Sequence, residues 1–395
     1  MTEILAFLAF ILLCGLVKIL NITSPSLPPN LYLKDRSSAF VQNILAACPI
    51  FLEAYVPPLI WGKCGHLQTL VYVKMGRVML PVTEGQRHHK VMPDGATMTF
   101  DIYEPKRDHK KVGDFTALVC PGFGNSSESP YIRTLVDYFQ QKGYRLAVLN
   151  HLGALADVKL TSPRIFNYGC TDEFGMMVEE ILRLYPQTKL LAMGFSMGAN
   201  IVVKYLGESK LNQTKFICGM SICQGYDVNQ AKPLLMEWEN LRRAYVFFMT
   251  ENMKLLLRKN YSILFGEDAK KLYGPVDVDK IFSSTSLVEL DENFSSQRAG
   301  FSNHVDYYTW ASCRHVMNNI DIPMFVLNAE DDPLVPSVLQ ETAKRYAATH
   351  DKCIFAVTKH GGHLGHFEGG IMTPAPITWL DRAVLQFADA ITMME

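Results

Sequence analysis

The sequence holds no Cys-x-x-Cys pair, and its nine cysteines are scattered from Cys14 to Cys353. An odd, dispersed set of this kind suggests neither a zinc site nor a disulfide framework. Cys120 and Cys218 lie in apolar runs and read as small core residues. Excess charge of one sign is also missing: 38 Lys and Arg stand against 39 Asp and Glu. That balance argues against a general nucleic-acid binder, and no nucleic-acid partner is expected. The glycine-punctuated run Trp61–Thr69 lacks the Gly-Lys-Ser/Thr ending of a phosphate cradle. It reads as a packed segment leading into a first strand. His360, His363 and His366 recur every third residue, but glycines break the run, and only Glu368 stands near as a further ligand type. No metal and no cofactor is expected. His89 and Asp94 match a His-x-x-x-x-Asp pattern only across a turn at a sheet edge, a poor place for acyl-transfer chemistry.

A long apolar run is present at the start. Ile4–Val17 is unbroken, and Lys18 is the only charge between there and Asn30. With Ile19, Leu20 and Ile22 the run reaches about the length that crosses a bilayer. Met1-Thr2-Glu3 supplies no basic flank and no small-x-small cleavage site follows, so a retained transmembrane anchor is expected over residues 1–22 rather than a cleaved signal. Lys18, Lys34 and Arg36 after the run would place the next domain in the cytoplasm. Five Asn-x-Ser/Thr sequons, at Asn21, Asn125, Asn212, Asn260 and Asn293, would permit a glycoprotein facing the other way. Residues 23–60 read as a proline-rich linker and a helix over Phe40–Tyr55, and residues 61–395 as the main domain.

Within that domain strand-like and helix-like segments alternate, the pattern of an α/β fold with a mostly parallel sheet and helices on both faces. Val71–Val82 and Thr97–Tyr103 are predicted to pair as an antiparallel edge across the Pro93-Asp94-Gly95 turn. Strands follow at Thr116–Cys120, Tyr144–Asn150, Lys189–Phe195 and Phe216–Ile222, with helices at Tyr131–Gln141 and Glu173–Tyr185. The alternation stops after Gln224. A helical lid insertion is expected over about 225–318, helical from Ala231 to Leu264 and rich in Met and aromatic residues. It resumes with strands at Pro323–Asn328 and Cys353–Thr358, a helix over Ser337–Thr349, and a terminal helix over Ile377–Met393.

The chemistry is concentrated at Gly194-Phe195-Ser196-Met197-Gly198. An apolar strand run precedes this Gly-x-Ser-x-Gly and a helical pattern follows, which is the strand–turn–helix setting that lifts a serine above a sheet. A serine nucleophile needs a base, a carboxylate to hold that base, and N–H donors for the developing oxyanion. Asp331 and Asp332 follow a later strand and His360 and His363 the last one, so the order is Ser…Asp…His. Asp332 precedes Pro333, whose ring restricts the local backbone, and is modestly preferred over Asp331. Gly361-Gly362 allow a tight loop that projects His363 over Ser196, which leaves His360 as its support. The oxyanion donors are expected to be the backbone N–H groups of Met197 and Phe123, with Asn125 lining the pocket.

Longer runs carry a resemblance. Pro57–Lys63, Val148–Leu155, Thr161–Arg164, Asn200–Val202, Lys204–Glu208, Asp331–Val335 and His360–Gly365 are similar to the AB hydrolase superfamily, and within it to the AB hydrolase 4 family of membrane-anchored monoacylglycerol lipases and esterases. The resemblance covers nearly all of the chain after the apolar start. It implies an α/β-hydrolase fold, a nucleophile at Ser196, an acid at Asp332 and a base at His363. It also implies a type II single-pass anchor in the plasma membrane or an endomembrane, hydrolysis of monoacylglycerols such as arachidonoylglycerol and of acetyl esters, and a steroid hormone among the ligands. The other readings of the scaffold are a slow-turnover lipid or steroid receptor and an acyltransferase. The sequence departs from the family pattern at His366, where an aromatic residue is usual, at Phe123-Gly124, where smaller or aliphatic residues are usual, and after Lys270.

Overall fold

The computed structural model describes residues 2–75 and 84–395. Among the described residues nine strands form one sheet: β1 (Asn30–Tyr32), β2 (Gln86–Val91), β3 (Thr97–Tyr103), β4 (Phe115–Cys120), β5 (Arg145–Asn150), β6 (Lys189–Phe195), β7 (Phe216–Ile222), β8 (Met324–Ala329) and β9 (Cys353–Thr358). Their spatial order is β1-β9-β8-β7-β6-β4-β5-β3-β2. From β5 to β9 every pairing is parallel, and β1, β3 and β2 add antiparallel edges. Strands β4, β5, β8 and β9 are buried at every position. Continuous apolar runs of this kind suit strands covered on both faces.

Alternate strand residues feed two core layers. Leu118 and Cys120 face the layer of α5 (Asp172–Leu184) and α6 (Met197–Glu208), with Phe174, Ile181 and Ile201. Ala117 and Val119 face the layer of α2 (Ala39–Ala47), α4 (Pro130–Gln140) and the Trp379–Met394 helix, with Ile44, Ile132, Leu135 and Val384. Ile132, Leu135, Val136 and Phe139 on α4 recur at one-face helical spacing, and all are buried. The chain turns from β4 to β5 on one side and then to β6 on the other. A crevice opens at such a reversal, above the carboxyl ends of the strands.

Three expectations change. The partner of β3 is Gln86–Val91, with Arg87 opposite Asp101. Val71–Met75 belongs to a helix, α3 (Gly65–Met75), and the rest of the predicted Val71–Val82 strand lies outside the described residues. Part of the proline-rich stretch predicted as a linker is an edge strand, Asn30 pairing opposite Val357 on β9. Between β7 and β8 the chain forms only helices and turns. Its Ala231–Leu264 stretch is broken at Asn240 and Leu241, both with positive φ, before the Arg242–Lys259 helix begins.

Among the described residues no helix is long and apolar enough to cross a membrane. The expected spanning segment is instead α1 (Thr2–Ile19), an 18-residue helix. At 1.5 Å per residue it rises about 27 Å, and Lys18 lies in its last turn. Its Ile4, Phe7, Phe10 and Leu12 side chains are exposed. Of the sequon asparagines, Asn260 is buried and donates to the Leu256 carbonyl, which leaves it no room for a glycan.

Candidate active site

Ser196 sits between β6 and α6 with φ 54° and ψ −119°. A non-glycine residue held there stores about 1–3 kcal/mol of strain, which the surrounding packing must sustain. Its N–H donates to the Ile222 carbonyl of β7 at 2.8 Å, fixing the turn against the sheet. The flanking glycines have steric reasons. A Cβ at Gly198 would lie 2.1 Å from the Cys120 carbonyl oxygen, and one at Gly194 would lie 2.4 Å from Ala199 Cα. Only glycine lets the start of α6 close onto the end of β4.

His363 Nε2 is 2.9 Å from Ser196 Oγ, and His363 Nδ1 is 2.8 Å from Asp332 Oδ2. A carboxylate only accepts, so the Nδ1–H donates to Asp332 and Nε2 is left to accept the serine proton. Asp332 is buried, and its Oδ1 accepts from the N–H groups of Leu334 (2.8 Å) and Val335 (3.0 Å). The Pro333 turn thus holds the carboxylate by its backbone.

Asp331 points elsewhere. Its Oδ1 accepts from the Gly362 N–H at 2.8 Å, and its Oδ2 lies 3.6 Å from His360 Nδ1. Burial raises its carboxyl above the usual range, against the opposing pull of His360 and the Gly362 N–H. His360 reaches Ser24 Oγ at 3.0 Å. Asp331 and His360 therefore brace the loop that carries His363. Gly361 and Gly362 have φ of 143° and 55°, and a Cβ at Gly362 would sit 2.3 Å from the Gly65 carbonyl oxygen. His366 is buried, 3.0 Å from Thr358 Oγ1 through Nε2 and stacked on Trp379.

Two backbone N–H groups belong to the turns that pack together at Ser196. Among the described residues, neither the Phe123 N–H nor the Met197 N–H meets an acceptor. Met197 opens α6, so no carbonyl of its own helix can reach its N–H. The Gly122 turn packs on the serine turn: a Cβ there would meet Ser196 Cβ at 3.5 Å. The Gly122 N–H donates to Tyr131 Oη at 2.9 Å, and Asn125 Nδ2 to the Phe123 carbonyl at 3.0 Å. Asn125 thus acts on the turn's own backbone.

Several supporting groups escape sequence reasoning. The His363 N–H donates to Thr69 Oγ1 at 2.9 Å, and the Thr69 hydroxyl donates to the Gly65 carbonyl at 2.8 Å. Gln68 is buried, donating to the Gly62 carbonyl at 2.7 Å and accepting from the Phe367 N–H at 2.9 Å. The glycines of Trp61–Thr69 were the available signal, and they mark close approach to the histidine loop. From the insertion, Tyr245 Oη lies 3.1 Å from His66 Nδ1 with the rings stacked. Burial lifts the Tyr245 hydroxyl to about 12 and holds His66 below its ordinary value. Leu256 and Phe166 border Gly124, making an apolar wall next to Phe123. Among the described residues no cluster of His, Cys, Asp and Glu could hold a metal ion.

The family model for the alpha/beta hydrolase fold matches residues 118–370, more than half of the chain. The Mus musculus protein named monoacylglycerol lipase ABHD2 is 46% identical over 382 residues, covering 96% of this chain and 89% of its own length. Abhydrolase domain-containing protein 2 of Drosophila melanogaster is 40% identical over 392 residues, covering 98% and 97%. Phospholipase ABHD3 of Mus musculus is 26% identical over 362 residues, covering 90% and 82%.

Proposed function

The chain belongs to the alpha/beta hydrolase fold family, and on that premise we propose that it is a serine hydrolase cleaving the ester of a monoacylglycerol through Ser196, His363 and Asp332. The observation that carries the reading is the continuous hydrogen-bonded line from Ser196 Oγ through the His363 ring to Asp332. Ser196 Oγ attacks the acyl carbonyl carbon while His363 Nε2 takes its proton. The carbonyl oxygen becomes an oxyanion that accepts from the N–H groups of Phe123 and Met197. His363 returns the proton to the leaving glycerol oxygen. Water, deprotonated by the same imidazole, then releases the fatty acid and restores Ser196. Asp332 keeps the imidazole in the productive tautomer and stabilises its positive charge.

The substrate class rests on the names of the relatives and on the apolar wall of Leu256 and Phe166. Residues 225–318 act as a lid that contributes Leu256 to that wall. The exposed apolar side chains of α1 support attachment of the protein to a lipid membrane.

The test is labelling of the full-length protein in membranes with a fluorophosphonate, comparing wild type with Ser196→Ala and adding monoacylglycerol or a steroid as competitor. The expected result is labelling lost in Ser196→Ala and blocked by monoacylglycerol. Well-folded wild type that does not label would overturn the hydrolase reading in favour of a ligand-binding role. Product release that depends on an acceptor alcohol would turn the reading to acyl transfer.

A further inference from the structure

The proposed reaction uses no residue of β5, yet a buried titratable side chain directly follows that strand. His151 follows Asn150 and is 5% exposed. Its Nε2 lies 2.9 Å from the carbonyl oxygen of Pro121, the first residue of the turn that carries Phe123. A carbonyl only accepts, so Nε2 carries the hydrogen and the ring donates.

The Pro121 carbonyl has little freedom from other sides. It approaches the serine turn so closely that a Cβ at Gly198 would lie 2.3 Å from it. On the far side the His151 ring packs on Phe166 with centroids 5.5 Å apart, and Phe166 meets the Phe123 ring edge-on at 5.2 Å. His151 therefore touches the donor turn twice, directly through Pro121 and indirectly through the Phe166 ring. A turn whose carbonyl is held at this point has its next peptide planes, including the Phe123 N–H, set in direction. Burial also pulls the imidazole down to about 4, so it is neutral at physiological pH and adds no charge beside the oxyanion.

We propose that His151 is a positioning residue for the oxyanion site: its Nε2–H holds the Pro121 carbonyl so that the Phe123 N–H points at the developing oxyanion. The proposal rests on the assignment of Phe123 as a donor in the reaction above. It predicts a defect in transition-state stabilisation with little change in ground-state binding, because the ester carbonyl of bound substrate needs this donor less than the oxyanion does.

The experiment uses full-length His151→Leu, which removes the donor and keeps apolar bulk, and His151→Gln, whose side-chain amide offers a donor at similar reach. kcat and KM are measured with p-nitrophenyl butyrate, together with affinity for an alkyl trifluoromethyl ketone, which mimics the tetrahedral oxyanion. For His151→Leu, kcat is expected to fall about 10- to 100-fold with KM within about twofold, and ketone affinity to fall in parallel with kcat/KM. His151→Gln is expected to recover most of the loss. An unchanged kcat, a rise in KM alone, or a glutamine variant no better than leucine at equal melting temperature would each overturn the proposal. If His151→Leu does not fold, the wild type still tests it. The expected Nε2–H appears as a slowly exchanging imidazole resonance, unaltered between pH 5 and 8, and its absence would overturn the proposal. A Ser196→Ala control separates this from failure of the hydrolase reading, since p-nitrophenyl butyrate turnover surviving in that variant would remove the reaction itself.

Discussion

At the scale of single residues the adjacent aspartates give the sharpest contrast. Asp332 meets His363, whereas Asp331 meets Gly362 and His360. Asp332→Asn is expected to lower kcat by about 10⁴, because an amide favours the wrong tautomer of the base. Asp331→Asn keeps an acceptor for the Gly362 N–H and is expected to lower kcat by no more than about tenfold. Steady-state kinetics on both variants decides, and equal losses would reject the division of roles. His151 gives a pH prediction. Its folded value, about 4, lies below the unfolded value of about 6.5. Between these values the unfolded chain binds more protons than the folded one, so this group's contribution is present above pH 6.5 and lost as pH falls towards 4. The loss amounts to about 3 kcal/mol at most. Urea unfolding at pH 7 and pH 4.5 is expected to show a smaller drop for His151→Gln than for wild type.

At the scale of elements, α3 connects the insertion with the histidine loop. Thr69 holds the His363 N–H, and three residues earlier His66 meets Tyr245 of the Arg242–Lys259 helix. Tyr245→Phe removes one hydrogen bond worth about 1 kcal/mol. Amide exchange in the Arg242–Lys259 helix is expected to quicken about fivefold, with exchange in β6 unchanged. Equal protection in both proteins would show that this contact does not hold the insertion down. None of this connection is legible in the sequence. The run Trp61–Thr69 shows its glycines, but β-branched and apolar residues at Val71–Val73 suit a strand as well as a helix. As a helix, α3 packs Gln68 and Thr69 against the histidine loop. The helical period in α4 was legible, because one buried face repeats within about three turns and needs no distant partner.

At the scale of the whole molecule, the sheet joins segments far apart in the chain. Asn30 pairs opposite Val357, and β4 lies between β5 and β6. Phe139, fully buried on α4 beneath this sheet, is expected to cost about 3–5 kcal/mol when changed to Ala. The loss is to be read as a lower urea midpoint with one cooperative transition. Removing residues 2–19 tests the role of α1: turnover of a soluble ester is expected to persist while sedimentation with lipid vesicles is lost. Vesicle binding that survives the deletion would move membrane attachment to another surface.

The sequence by itself determined what can be read within a short window. Uninterrupted apolar runs mark the buried strands, Gly-x-Ser-x-Gly after such a run marks the serine turn, and the order Ser196, Asp332, His363 follows the order of strand ends. The long runs also carried the resemblance that the relatives bear out. Tertiary structure alone decided the rest. It chose the partner of each aspartate, put Thr69 and Gln68 under the histidine loop, made Asn30–Tyr32 an edge strand, and brought His151 to Pro121. Those outcomes rest on contacts and strand pairings between groups up to 327 positions apart, as in Asn30 opposite Val357. A pattern along the chain records which face a residue turns inward, and only the closed sheet determines what it meets there.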